Sequence, residues 1–200
     1  MEIENAQIQR RRILLQGVIQ GVGLRPFVYR EAKQNGLSGL VLNNSTGVKI
    51  EVEGIPQKIE DFIRSLQDSP PVLARIDEIV VEPIPPQGDK EFIIETSQQG
   101  EEQQVMISPD TATCSECLQE LFDPNDRRYH YPFINCTNCG PRFSIVQDAP
   151  YDRSKTTMAS FIMCSACAAE YSNPLDRRFH AQPIACLRCG PDIYLLNRKG

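Results

Sequence analysis

The feature that constrains this sequence most is a four-cysteine pattern that occurs twice in its second half. Each copy reads C-x2-C-x18-C-x2-C, and the second copy follows the first by 50 positions. The first copy is Cys114, Cys117, Cys136 and Cys139, and the second is Cys164, Cys167, Cys186 and Cys189. The flanking residues repeat too, since DPNDRRYH parallels NPLDRRFH and CTNCGP parallels CLRCGP. The pattern therefore indicates an internal duplication that folds as two small tandem units.

Each copy provides the donors for a closed metal site. Two close cysteine pairs supply four thiolates, which is the complement of a tetrahedral zinc site, and the spacing is typical of zinc-finger units. A full thiolate shell leaves no position for a water molecule, so we expect two structural Zn²⁺ ions. Disulfides and a redox CxxC pair are the alternatives, but four equivalent pairs do not resemble one catalytic pair. The chain also begins without a signal-peptide pattern, so we expect a reducing, cytoplasmic location.

Two histidines and four arginines also repeat. His130 and His180 occupy matching positions and are spare potential ligands, although four cysteines per unit make a packing or supporting role the preferred interpretation. The arginines are expected to donate hydrogen bonds to the cysteine sulfurs or to Asp126 and Asp176. They are Arg127, Arg128, Arg177 and Arg178.

The charge distribution argues against nucleic acid and membranes as partners. The chain has a formal net charge of −5, and residues 114–189 hold eight Lys/Arg against eight Asp/Glu. A neutral module lacks the basic face that phosphate backbones require. No apolar run is long enough to span a bilayer, so we expect no nucleic-acid and no membrane partner.

Residues 1–113 contain no cysteine and no histidine, and their periodicity predicts a different fold. Branched apolar residues predict a strand over 11–19. A helix is predicted to start at Pro26 and to end near Asn35. Alternating apolar and charged residues over 48–54 predict a strand that forms a hairpin with the strand before it. A second amphipathic helix starts at Pro56, and strands follow at about 76–82 and 91–96. This order predicts an α+β fold, a ferredoxin-like βαββαβ sandwich. The polar, Gln-rich stretch 96–104 is typical of a linker.

The loop between the first strand and the first helix has the composition of an anion site. In LLQGVIQGVGLRPF, glycines allow a sharp bend before a helix N-terminus, so backbone N–H groups can converge on an anion. Arg25 adds a planar, permanently charged fork suited to phosphate. The loop matches neither a Walker A motif nor a dinucleotide fingerprint. A glycine-rich turn with a surface arginine is the alternative.

The absence of histidine from this half restricts the chemistry that it can perform. With no imidazole or thiol to draw on, the bound phosphate must be electrophilic and its leaving group must depart without strong acid help. Acyl phosphates fulfil both conditions, and positioning with charge neutralisation would supply most of the rate. Asn43, at a strand end, is a candidate for orienting the attacking water, with simple turn chemistry as its alternative.

Two segments of the first half resemble the signature sequences of the acylphosphatase family. They are GVIQGVGLR at 17–25 and GLVLNNSTGVKIEVEG at 39–54. The resemblance implies that Arg25 binds phosphate, that Asn43 holds the attacking water, and that one loop cradles the phosphate. That loop is Gln20, Gly21, Val22, Gly23, Leu24 and Arg25. Ile19 replaces the usual valine and Leu24 the usual aromatic residue, and neither change removes a phosphate-binding group.

The whole chain resembles the N-terminal region of the hydrogenase-maturation carbamoyltransferases, the HypF family. The segments that show this are VGLRPFVY, NCTNCGPRFSI, PYDRSKTTM and DRRFHAQPIACLRCGP. The resemblance implies carbamoyl phosphate as substrate, cleaved to carbamate and phosphate. It further implies that ATP and Mg²⁺ are used downstream to carbamoylate the C-terminal cysteine of a partner maturation protein, a precursor of the cyanide ligands of nickel–iron hydrogenases. A stand-alone acylphosphatase and a non-enzymatic zinc adaptor are the alternatives.

These patterns together predict a domain organisation. We expect an acylphosphatase-like domain over 1–97, a linker over 98–113, and finger units over 114–150 and 151–191. Residues 192–200 resemble the start of another element, so we expect the ATP-using and transfer domains to follow this sequence rather than lie within it.

Overall fold

The computed structural model describes residues 8–44, 46–97 and 106–198. The first half contains five strands and two helices up to residue 97, in an order that confirms the ferredoxin-like prediction. They are β1 (Gln9–Gln20), α1 (Leu24–Gln34), β2 (Ser38–Asn43), β3 (Val48–Gly54), α2 (Pro56–Asp68), β4 (Arg75–Ile84) and β5 (Phe92–Ile94).

The strands form one sheet in the order β4-β1-β3-β2-β5. Strand β1 is antiparallel to both β3 and β4, and β5 extends the sheet parallel to β2. A sixth strand, β6 (Met106–Ile107), pairs in parallel with the end of β1. It lies within the predicted linker 98–113, where two residues can pair because β1 extends past β3 and leaves an edge. Residues 98–105 lie outside the described residues.

The core of the first half lies between the helices and one face of the sheet. Ile13 and Leu15 of β1 and Ile50 and Val52 of β3 point into it, as expected for side chains that alternate along strands. Helix α1 starts at Leu24, two residues before the predicted start at Pro26. Pro26 still lies in the first turn, where a missing N–H costs no hydrogen bond.

The other face of the sheet carries a buried ion cluster. Arg10 on β1 has a fully buried side chain, and its guanidinium contacts Glu51 at 2.9 Å and Glu53 at 3.0 Å. Asp89, from the segment between β4 and β5, closes the cluster at 2.5 Å. This face is therefore stabilised by charge pairs, whereas the helix-covered face is stabilised by apolar contacts.

The second half consists of two small units with few regular elements. Helix α3 (Ser115–Phe122) and helix α4 (Ser165–Ser172) each begin directly after the first cysteine of their unit, and the rest of the described second half is made of short 3₁₀ helices, turns and irregular segments. His130 and His180 share the same left-handed backbone conformation, with φ of 55° and 56°. The longest helix of the described chain is α2 with 13 residues, and none has the length and hydropathy of a membrane span.

Candidate active site and metal centres

The glycine-rich loop between β1 and α1 presents a row of unused backbone donors. Gly21 and Gly23 adopt positive φ values of 75° and 80°, which turns the chain into the N-terminus of α1. In the part of the chain that the structure describes, the N–H groups of residues 22–25 donate to no acceptor. These N–H groups, at the positive end of a helix dipole, form a cradle of donors that can hold an anion.

Arg25 lies over this loop and is largely buried, with 8% of its surface exposed. With the Asn43 amide oriented so that its oxygen faces the guanidinium, Asn43 accepts from Nη2 and Nε of Arg25, each at 3.2 Å. The structure therefore brings together Arg25 and Asn43, which lie on different elements. The NH₂ group of Asn43 then faces away from the guanidinium, toward acceptors.

The other members of the predicted loop contribute through their backbone or through contacts elsewhere. The side chain of Gln20 donates to the carbonyls of Asn44 at 3.0 Å and Gly47 at 2.9 Å, and accepts from the N–H of Tyr151 at 2.9 Å. It therefore fixes the β2–β3 turn and does not face the cradle. Val22 and Leu24 bury their side chains in the core.

The finger region covers the loop. Nη2 of Arg25 donates to Oδ1 of Asp152 at 2.9 Å and to the carbonyl of Tyr151 at 3.4 Å. A Cβ atom at Gly21 would lie 2.6 Å from Pro141 and 2.9 Å from Tyr151. The site consequently lies at the junction of the two halves of the chain, and only glycine fits where they meet most closely.

Two cavities meet at Arg25. The inner one, about 20 Å³, lies between the loop with Asn43 and the finger region. The outer one, about 270 Å³, is more open and is lined by Arg25, Ser97, Asp152, His180 and others. Both cavities include His180 of the second finger unit, and its imidazole lies close enough to Arg25 for the guanidinium to affect its pKa.

His180 is the functional candidate that sequence reasoning missed. The prediction that no imidazole is available to this site was wrong, because folding brings a histidine from the second half to a half that has none. Burial, together with the nearby Arg25 guanidinium, lowers the pKa of His180 to about 4, so the ring is neutral near pH 7. No local pattern distinguishes His180 from its repeat partner His130, so the sequence offered no signal.

The eight cysteines gather into two clusters whose geometry fits zinc. The four sulfurs of each cluster lie within 4.8 Å of one another. A tetrahedron with zinc–sulfur bonds of about 2.3 Å places its sulfurs about 3.8 Å apart. The Sγ–Sγ distance is 3.7 Å for Cys114–Cys136 and 3.8 Å for Cys164–Cys186, so each cluster has the size that a structural Zn²⁺ needs.

The paired arginines of each unit contact the cluster of the other unit. Arg127 donates to Sγ of Cys167 at 3.2 Å and to Glu170 at 2.6 Å. In the reverse direction, Arg177 donates to Sγ of Cys117 at 2.9 Å, and its guanidinium pairs with Glu120 at 2.5 Å. This exchange confirms that the arginines donate to the sulfurs, and it shows that each unit supports its neighbour's thiolates.

The expected contacts to Asp126 and Asp176 do not involve the guanidinium groups. Each carboxylate instead accepts from a backbone N–H two residues later, Arg128 and Arg178 respectively, both at 2.7 Å. The two aspartates thus close local turns and leave the guanidinium groups free to cross between the units. The carboxylates that the arginines pair with are those of α3 and α4.

Comparison with protein-family models supports both halves of this description. The acylphosphatase model matches residues 11–94, and the HypF finger model matches residues 113–146 and 163–196. The acylphosphatase of Yersinia pseudotuberculosis is 37% identical over 79 residues, which cover 39% of this chain and 86% of that protein.

Two relatives match across the junction of the halves. The probable carbamoyltransferase HypF of Methanocaldococcus jannaschii is 49% identical over 146 residues, which cover 71% of this chain and 19% of the relative. A crystal structure of full-length HypF in the phosphate- and nucleotide-bound form matches with a TM-score of 0.91 and 53% identity, covering 96% of this chain and 25% of that one. The chain therefore spans about a fifth to a quarter of the length of these relatives.

Proposed function

The chain belongs to the HypF family, combining an acylphosphatase domain with two HypF finger units, and from this premise we propose that it binds carbamoyl phosphate at the β1–α1 loop and cleaves it to carbamate and phosphate. The observation that supports this proposal most directly is the buried Arg25 above the unused N–H groups of residues 22–25. A loop wall made only of donors fits a phosphoryl dianion.

The proposed roles follow from the chemistry of the groups. The N–H groups and Arg25 would hold the phosphoryl oxygens and stabilise the charge that builds up on them during transfer. Asn43 would hold a water molecule whose oxygen forms a new bond to phosphorus. The bond from phosphorus to the carbamoyl oxygen breaks, carbamate leaves with the electron pair, and the water proton passes to phosphate or solvent. No acid is needed because carbamate is a stable leaving group.

We extend the proposal to the two cysteine clusters, which would each hold one structural Zn²⁺. A bound zinc ion supplies folding free energy and no chemistry here, because all four positions are thiolates. The folded fingers then hold Tyr151 and Asp152 against the β1–α1 loop. The proposed boundaries are 1–97 for the acylphosphatase domain, 98–113 for the linker, and 114–150 and 151–191 for the fingers.

The remaining steps of the reaction are proposed for the whole protein. Carbamate would be activated with ATP and Mg²⁺ and transferred to the C-terminal cysteine of a partner maturation protein, in the cytoplasm. We place none of these steps on residues of this sequence, of which 146 residues match only 19% of a relative.

Phosphate release from carbamoyl phosphate by the Arg25→Ala variant tests the proposal. We expect the rate to fall by about 10²-fold or more, the usual effect of removing one charge-stabilising donor. Arg30→Ala is the matched control, because Arg30 lies on the same helix with its side chain exposed. Equal rates for the native chain and Arg25→Ala would refute the proposed role of Arg25, and rates equal to the uncatalysed background would favour a zinc adaptor without activity.

A further inference from the structure

The two walls of the proposed site differ in hydrogen-bonding character. The loop wall offers donors, namely the N–H groups of residues 22–25 and the Arg25 guanidinium. The finger wall contributes acceptors: the Tyr151 carbonyl and the Asp152 carboxylate, both of which contact Arg25. The neutral ring of His180 adds one acceptor nitrogen to the same wall.

The Asp152 and His180 side chains can each accept a further hydrogen bond. Only Oδ1 of Asp152 receives a hydrogen bond from another described side chain, which leaves Oδ2 available. The ring nitrogens of His180 form no hydrogen bond with any residue in the described ranges. The neighbouring Gln182, by contrast, is fully engaged, since its Oε1 accepts from Arg153 at 2.8 Å and from Tyr171 at 3.2 Å.

The duplication provides an internal comparison that separates fold from function. His130 has the same left-handed backbone as His180, so that conformation belongs to the shared design of the units. Their surroundings differ, because His130 stacks on Tyr129 at 3.8 Å, while His180 lines both cavities that meet at Arg25. The position of His180 beside the loop is therefore a property of the second unit alone.

An acceptor-lined wall distinguishes substrates that have nearly the same shape. Carbamoyl phosphate and acetyl phosphate differ only in carrying NH₂ or CH₃ on the carbonyl carbon. With the phosphate on the donor wall, the NH₂ group is the only donor at the other end of the molecule, and CH₃ can satisfy no acceptor. A site built to receive a hydrogen bond rejects the analogue that lacks the donor.

We propose that His180 and Asp152 of the second finger unit form the acyl-group subsite and select a carbamoyl over an acetyl group by accepting hydrogen bonds from its NH₂. The inference rests on the proposed function and deepens it, because it assigns substrate discrimination to the finger region. Both residues recognise the acyl group, and Asp152 additionally holds Arg25 in place.

Two non-hydrolysable phosphonates test the inference by binding alone. Phosphonoacetamide carries the amide, and 2-oxopropylphosphonate carries a methyl group in its place. We expect the zinc-loaded native chain to bind phosphonoacetamide about tenfold more tightly in calorimetry at pH 7.5, the effect of one or two buried hydrogen bonds. His180→Leu should reduce that ratio to about twofold, and Asp152→Asn should also lower it.

His130→Leu is the matched control, because it makes the same change at the same backbone conformation in the other unit. It should keep the native preference. Equal affinities of the two phosphonates for the native chain, or an unchanged ratio in both His180→Leu and Asp152→Asn, would overturn the inference.

The Arg25→Ala variant separates this result from the proposed function. If Arg25→Ala loses both phosphonates while the native chain shows no preference, the phosphate site stands and only the acyl subsite fails. If the native chain binds neither phosphonate, the proposed function fails and the inference with it. Zinc content and proteolytic resistance of each variant establish that a changed ratio comes from a folded protein.

Discussion

The two halves of this chain are stabilised by different means. Among the described residues, the first half has a single core of sixteen buried apolar side chains between its helices and its sheet. The finger region has two clusters of seven and four buried residues, and five of these eleven are cysteines. The first half therefore has enough apolar surface to fold around, whereas the second depends on its thiolates.

This difference assigns a separate task to each half. A domain with a continuous core can hold a loop rigidly, as the first half holds the cradle before α1. A region with few apolar contacts takes its shape from metal ions, and here that shape places Tyr151, Asp152 and His180 against the cradle. Metal ions bound at the two cysteine clusters would thus determine the geometry of the Arg25 site, although no metal ligand lies in that site.

Removal of zinc should produce the largest effect and the clearest separation of the halves. Metal binding contributes on the order of 10 kcal/mol of folding free energy per structural site. We expect a chelator under reducing conditions to abolish amide protection over residues 114–191 and to leave β1–β4 and α2 protected in hydrogen exchange followed by mass spectrometry. A finger region that stays protected without metal would show that its apolar clusters suffice.

The arginines that cross between the units should give the next largest effect. The buried side chain of Arg128 contacts Glu170 at 2.5 Å and the carbonyl of Ala185 at 3.0 Å, and Arg178 makes the equivalent contacts with Glu120 and Asn135. Replacing either by glutamine removes charged hydrogen bonds to a partly buried carboxylate, which then keeps only its second arginine partner, and this loss costs roughly 3 kcal/mol. Urea unfolding of the zinc-loaded chain measures this cost.

Two further variants test whether that cost comes from the lost charge pair. Arg188→Gln changes an exposed arginine of the second unit and should be nearly neutral. Arg128→Gln combined with Glu170→Gln should be less destabilising than the sum of the two single changes, since both remove the same charge pair. A large loss for Arg128→Gln beside a negligible one for Arg178→Gln would mean that the two units are not energetically equivalent.

Local patterns in the sequence predicted the elements of each half but not the contact between the halves. The alternation along β3 and the apolar face of α2 predicted the sandwich, and the cysteine spacing predicted the two clusters. Arg25 and Asp152 are 127 positions apart, and no periodicity relates such residues. Strand β6 was also missed, because two residues are too few to show a pattern.

The close approach of the halves at the loop can be tested with a pair of glycines. Gly21→Ala introduces a Cβ at φ +75° that would collide with Pro141 and Tyr151. Gly36→Ala makes the same change at φ +67° where no atom lies within 4 Å. We expect Gly36→Ala to lower the free energy of unfolding by roughly 1 kcal/mol, and Gly21→Ala by roughly 2–3 kcal/mol because overpacking adds to the backbone strain.

Phosphate release provides a second measurement for the glycine pair. The rate should fall in Gly21→Ala, because the finger region must move away from the cradle, and should be retained in Gly36→Ala. Equal losses of stability and activity in the two variants would indicate that the halves do not press against each other at Gly21.

The smallest expected effect concerns the one part of the first half that depends on charge. Burial by itself would raise the pKa of Glu51, but hydrogen bonds from Arg10, Lys49 and Arg12 outweigh it and lower the pKa from its usual 4.5 to about 2. A carboxyl whose pKa is lowered by folding stabilises the native state above its unfolded pKa, and that contribution is lost as the pH falls toward the folded value.

We therefore expect the first half to lose roughly 2 kcal/mol of stability between about pH 4.5 and pH 2, and to lose none of it from this source above pH 5. Hydrogen exchange of the β1 and β3 amides measures this loss without interference from the fingers, whose thiolates also take up protons in acid.

Glu51→Gln should be less stable near neutral pH, because it gives up a charged partner of Arg10, and should show a weaker dependence of stability on pH. An undiminished acid dependence in Glu51→Gln would assign the effect to Glu53, whose pKa is also lowered by backbone hydrogen bonds and by Arg10.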